Sequence, residues 1–182
     1  MLMGGALSAP AILGIMKGCT AKPTVDWKPE FFSNEQGVLI SQLSDIIIPK
    51  TETPGAREVG VPGFIDKMLK DVYSPEEQKT FMDGLAAFEQ RAEKEMGDPF
   101  IELEAEDQLT FVKKVHQEAI EANRTTPAPP RPFILMAKEL TMLGFFTSEV
   151  GATQVLQYAP VPGAYKGCVP LSEAGNGKTW AT

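Results

Sequence analysis

The chain has one histidine, His116, and only two cysteines, Cys19 and Cys168, in 182 residues. One imidazole and two distant thiols cannot assemble a tetrahedral zinc set. No C-x-x-C-H run is present to attach a c-type haem, and two cysteines cannot hold an iron–sulfur cluster within one chain. No G-x-G-x-x-G follows a strand pattern, which excludes a dinucleotide fingerprint. The run Gly175-Asn176-Gly177-Lys178-Thr179 matches the end of a phosphate loop, but the first glycine such a loop requires falls on Ser172. We read that match as chance. His116 sits among Lys113, Lys114, Gln117 and Glu118, a boundary position with no orienting partner beyond Glu118 or Glu121, so no nucleophile–base pair is formed. Basic charge is also short. Net charge is −7, and between Glu76 and Asp107 eleven acidic residues face only Lys79, Arg91 and Lys94. An acidic face of this kind repels phosphate backbones and argues against a nucleic-acid partner. Alternating strand patterns of useful length are absent too.

Helical patterning takes their place. Ser33 and Gln36 form a capping-box pair ahead of an apolar stripe at Val38, Leu39, Gln42, Leu43, Ile46 and Ile47, and Pro49 ends that helix. Pro54-Gly55 marks a turn in the loop 49–62. A short helix follows with Phe64, Ile65, Met68, Leu69 and Val72 on one side. Ser74-Pro75-Glu76-Glu77 starts the next, with the hydroxyl at the N-cap, Pro at N1 and Glu at N3. Phe81, Leu85, Phe88, Ala92 and Met96 face inward there, and Gly97 stops it. A further helix over about 104–122 turns Leu109, Val112, Val115 and Ala119 inward. The segment from Phe133 to Phe146 is apolar nearly all round, too short to cross a bilayer, and reads as the central helix. The expected architecture is all-α: an irregular bundle of about five helices with an extended, proline-marked C-terminal arm. The divisions are a signal-like segment at 1–21, a linker at 22–33, a helical domain at 34–158 and the arm at 159–182.

Residues Gly4 to Met16 form a short apolar run rich in small residues. It resembles the hydrophobic region of an export signal, and its Gly/Ala-rich texture suits the twin-arginine route. No arginine occurs before Arg57, so the paired arginines are expected upstream of Met1. Cys19, preceded by Gly18, is a candidate lipidation site. With Cys19 removed or lipidated, Cys168 is left as an odd thiol, a packing residue or one half of an intermolecular disulfide.

The most telling stretch is the last 39 residues, which hold only Glu149, Lys166, Glu173 and Lys178 as charged groups. They are apolar, aromatic and broken by prolines, unlike a solvated tail. Such a segment needs a surface, either its own core or another protein. Tyr158, Val161, Tyr165, Cys168, Val169, Leu171 and Trp180 are the candidate contacts, aromatics being the usual interface anchors.

Two groups of residues carry a family resemblance. The first is Ile47-Ile48-Pro49, Thr53-Pro54-Gly55-Ala56, Gly60-Val61-Pro62 and Phe64-Ile65-Asp66. The second is Leu143-Gly144-Phe145-Phe146-Thr147-Ser148-Glu149-Val150-Gly151, then Tyr158, Pro160-Val161-Pro162-Gly163, Tyr165 and Gly167-Cys168-Val169-Pro170. With these the chain resembles the gluconate 2-dehydrogenase subunit 3 family over about residues 34–180. The resemblance implies a non-catalytic small subunit of an exported, membrane-associated sugar or sugar-acid dehydrogenase. It implies no cofactor in this chain. It also implies a large catalytic partner with FAD, which can carry an iron–sulfur cluster, and a multihaem cytochrome c subunit in the same periplasmic assembly. Cys168 would then be free to form an intersubunit disulfide. The alternative is a stand-alone exported or lipid-anchored helical binding protein whose arm folds onto its own helices.

Overall fold

A computed structural model describes residues 25–125, 131–159, 161, 163, 167–170, 172, 173 and 177–181. Five α-helices follow in order: α1 (Asn34–Ile47), α2 (Val61–Asp71), α3 (Pro75–Met96), α4 (Ala105–Thr125) and α5 (Phe133–Thr147). A 3-10 turn at Phe100–Glu102 links α3 to α4, and a π-turn at Gly151–Val155 follows α5. No strand occurs among the described residues, only one isolated bridge between Gln157 and Trp180.

The helix ends form where the local chemistry directs. Ser33 and Gln36 cap α1 reciprocally, the Gln36 amide donating to Ser33 Oγ and the Ser33 amide to Gln36 Oε1. Ser74 and Glu77 do the same for α3, satisfying donors that would otherwise have no partner. Gly97 closes α3 at φ +94°, a left-handed conformation that a residue with a Cβ adopts only under strain.

Helix α5 is the hub. It packs on the four other helices among the described residues and on the π-turn. Around it six phenylalanines interlock: Phe81 and Phe133 with ring centroids 5.0 Å apart, Phe88 and Phe100 at 5.0 Å, Phe88 and Phe111 at 5.1 Å, and Phe32 leaning on Phe81 at 6.1 Å. Tilted and edge-on rings suit the aromatic quadrupole and add about 1 kcal/mol per pair beyond area burial. The inward stripe of α3 is as the spacing predicts, with Phe81, Leu85, Phe88 and Ala92 buried and Met96 packed at the edge.

Three details differ from the sequence reading. In α1 the buried face is rotated toward Leu39, Ile40, Leu43 and the small Ser41 and Ser44. In α2 Val72 is 65% exposed, because the helix ends at Asp71 and points its last apolar residue outward. In α4 Leu109 is exposed while Phe111 fills the core, since Gln108 turns inward to donate to the Phe100 carbonyl at 2.8 Å and thereby sets the helix rotation.

The N-terminal approach to α1 is fixed by a buried carboxylate. Asp66 of α2 accepts N–H bonds from Glu30 at 2.7 Å, Phe31 at 3.1 Å and Phe32 at 2.8 Å. Nearby, Lys50 and Glu58 pair across the 49–60 loop at 2.6 Å, and Ala56 is fully buried with its N–H on the Ile48 carbonyl.

One side chain of α3 resists the pattern. Half-buried Glu89 has its carboxyl pushed up first by burial, then by the neighbouring Glu93 and Glu35 charges. The fold therefore holds its proton more tightly than the unfolded chain does, and stability from that group falls as pH rises through the normal glutamate range. Glu89→Gln is expected to raise the melting temperature by about 1–2 °C at pH 7, and to give no gain at pH 4; differential scanning calorimetry at the two pH values checks this.

Candidate partner interface

Helix α5 cannot bury its whole circumference. Ile134, Met136, Ala137, Leu140, Thr141 and Phe145 face the core, whereas Met142 and Leu143 are 42% and 43% exposed and Leu135 and Phe146 are half-covered. These outward residues border a groove of about 500 Å³, which Leu156 also lines. Lys138 and the Arg131–Glu139 ion pair form its polar rim.

The junction beyond α5 is built around Ser148. Its hydroxyl donates to the Phe145 carbonyl at 2.6 Å and accepts the Gly151 N–H at 3.1 Å. Gly151 is forced at this point: a Cβ there would stand 1.9 Å from the Phe145 oxygen. Gly144, one of the buried residues of α5, likewise lets Phe64 of α2 pack against its backbone, where a Cβ would meet the ring at 2.6 Å. Both glycines belong to the sequence run that carries the family resemblance.

Near its end the arm bonds to the segment that follows α5. Gln157 N–H donates to the Thr179 carbonyl at 2.7 Å, Ala181 N–H donates to the Gln157 carbonyl at 2.8 Å, and Lys178 Nζ donates to the Gln154 carbonyl at 2.5 Å. Lys178, the lysine of the loop-like run, thus ties down the arm. Of the arm residues expected at an interface, Tyr158, Val161, Cys168, Val169 and Trp180 are all exposed, and Cys168 is a free thiol. Tyr165 and Leu171, like Cys19 and the signal-like segment 1–21, lie outside the described residues. Eight large apolar residues remain exposed among those described, and six of them fall between Met142 and Trp180. Thr179 and Ala181 of the arm bond to Gln157, next to Leu156 of the groove, so these arm residues adjoin the helix face. Sequence reasoning found the arm but read the Phe133–Phe146 helix as central and did not single out Met142 and Leu143 as exposed. The signal was available: a helix apolar on every side, in a bundle this small, either is enclosed or offers one face to another molecule.

Among the described residues His116 has no acid partner. Its Nε2 accepts from Lys138 Nζ, 3.1 Å away, while Glu118 pairs with Arg91 at 2.7 Å and Glu121 takes the Gln117 amide. Burial first, and the Lys138 charge second, lower its pKa. The unfolded chain then takes up this proton more readily than the fold, so the group's contribution to stability is present above about pH 6.5 and lost as pH falls below it. His116→Gln is expected to flatten the decline in thermal stability between pH 7 and 5.5 relative to the parent chain. Among the described residues no three His, Cys, Asp or Glu side chains are grouped to hold a metal, and no helix is long and apolar enough to cross a membrane.

Comparison with known proteins adds one finding. Residues 34–163, over two thirds of the chain, match the family described as gluconate 2-dehydrogenase subunit 3. No curated protein and no solved structure matches the chain significantly. The chain belongs to the gluconate 2-dehydrogenase subunit 3 family.

Proposed function

We propose that this member of the subunit 3 family is the non-catalytic small subunit of a dehydrogenase complex, and that it holds the FAD-containing catalytic subunit through the outer face of α5 and the C-terminal arm. The observation that carries the reading is the concentration of exposed apolar residues from Met142 to Trp180. Water disfavours such a surface by about 25 cal/mol per Å² of apolar area, and association with a partner removes it. Tyr158, Val161, Cys168, Val169 and Trp180, together with Tyr165 and Leu171, supply the contacts, and Tyr and Trp are the residue types that dominate interface energies. The substrate chemistry, gluconate- or glucose-type oxidation, belongs to the flavoprotein, with any iron–sulfur cluster held there too. Haem c belongs to a cytochrome subunit of the same assembly. The complex works in the periplasm at the cytoplasmic membrane, after twin-arginine export in which this subunit carries its partner.

Co-expression tests the reading. The chain alone is expected to self-associate in analytical ultracentrifugation, and co-expression with the large FAD-containing subunit is expected to convert it to a soluble heterodimer. A stable monomer that ignores the flavoprotein supports instead a stand-alone binding protein. Within the complex, Trp180→Ala is expected to weaken association by about 2 kcal/mol, roughly thirtyfold in Kd, as hot-spot truncations do. Cys168 is expected to form an intersubunit disulfide in the oxidising compartment. A single band of summed mass on a non-reducing gel, lost in Cys168→Ser, is the expected result, and an unshifted band means that this thiol only packs.

A further inference from the structure

A second cavity, of about 180 Å³, opens between α1, α4 and α5. Ile46, Ile47, Leu109, Val112 and Ile134 make an aliphatic wall, and Lys113, His116 and Lys138 supply its nitrogens. Lys113 is exposed and the other two are half-buried. No carboxylate lines it. That is unusual in this chain, where Lys50, Lys70, Lys79 and Lys114 each meet an acid. Lys113 and Lys138 have no ion-pair partner among the described residues, and Lys138 instead turns its ammonium to the His116 imidazole at 3.1 Å. The cavity also accounts for Leu109, whose exposed side chain serves no core.

We propose that this cavity binds an aliphatic monocarboxylate, its hydrocarbon against Ile46, Ile47 and Leu109 and its carboxylate between Lys113 and Lys138. Cavities near this volume hold a ligand of about six carbon atoms, and two unpaired ammonium groups over an apolar wall select an anion with a greasy tail over either feature alone. A free short-chain fatty acid and the terminal carboxylate of an aliphatic residue on a partner chain share this chemistry. The inference stands on this cavity, which shares Lys138 with the rim of the docking groove.

The test uses the full chain, alone or in its complex, with methyl-labelled isoleucine, so that Ile46, Ile47 and Ile134 report by NMR. Hexanoate is expected to shift these methyls and hexanol to bind at least about tenfold more weakly, the usual effect of losing a charge-assisted hydrogen bond. Lys113→Gln with Lys138→Gln is expected to remove the preference while the remaining isoleucine signals stay in place, which shows the fold intact. N-acetyl-leucine and its amide distinguish the sources: a tenfold tighter acid than hexanoate points to a chain terminus, the reverse to a fatty acid. Equal binding of hexanoate and hexanol, no shift with any probe, or an unchanged preference in the double variant overturns the proposal.

Discussion

Replacing Asp66 by alanine is expected to lower the melting temperature by about 10 °C, the shift that about 4 kcal/mol produces in a chain of this size. The carboxylate is 1% exposed and accepts the N–H groups of three consecutive residues, Glu30, Phe31 and Phe32. Each bond to a charged acceptor contributes about 1.5–3 kcal/mol, and the three act on one short segment, so their effects do not simply add. Without them three donors lose their partner and Phe32 loses its anchor against Phe81. Asp66→Asn retains one acceptor oxygen and is expected to recover about half the loss. Thermal unfolding followed by circular dichroism gives the answer; an alanine variant within about 2 °C of the parent shows that the segment is held by packing alone.

Gly151→Ala is the second large effect, expected at about 3 kcal/mol. The clash it creates is with backbone: the Phe145 oxygen at 1.9 Å, its carbonyl carbon at 2.8 Å and the Phe146 Cα at 2.9 Å. Backbone at the end of a packed helix cannot yield without undoing the turn that Ser148 closes. Gly144→Ala meets a phenylalanine ring instead, at Phe64 Cδ1, and a ring can swing, so its cost is expected to be smaller, about 1–2 kcal/mol. The predicted order puts Gly151→Ala below Gly144→Ala in urea midpoint, and Gly151→Ala should also speed proteolytic loss of the arm. The reverse order would show that the turn is softer than its contacts imply.

These two positions explain part of what the sequence could tell. Caps, helix stops and the α3 stripe are local, and Ser33, Ser74, Pro49 and Gly97 announce them directly. Asp66, Gly144 and Gly151 were visible only as members of a family-like run. Their work is nonlocal: Asp66 serves residues more than thirty positions earlier, and Gly144 yields to a ring on another helix. No spacing rule encodes such contacts. The rotation of α4 was misjudged for a similar reason. Gln108 reads as a surface residue until the Phe100 carbonyl that it reaches is in place, and that contact turns Leu109 out and Phe111 in. The outer face of α5 was hidden by its own greasiness, since periodicity cannot say which side of a uniformly apolar helix is left over. The arm was legible because its composition contradicts solvation.

The account rests on the exposed face of α5 and the adjoining arm being covered by the catalytic subunit. Amide hydrogen exchange, compared between the chain alone and the assembled complex, tests this most directly. Peptides covering 139–161 and 167–181 are expected to slow by at least about tenfold on assembly, while those of α3, on the acidic side, keep their rates. Unchanged exchange over 139–161 and 167–181, with protection appearing on α3 instead, would contradict it.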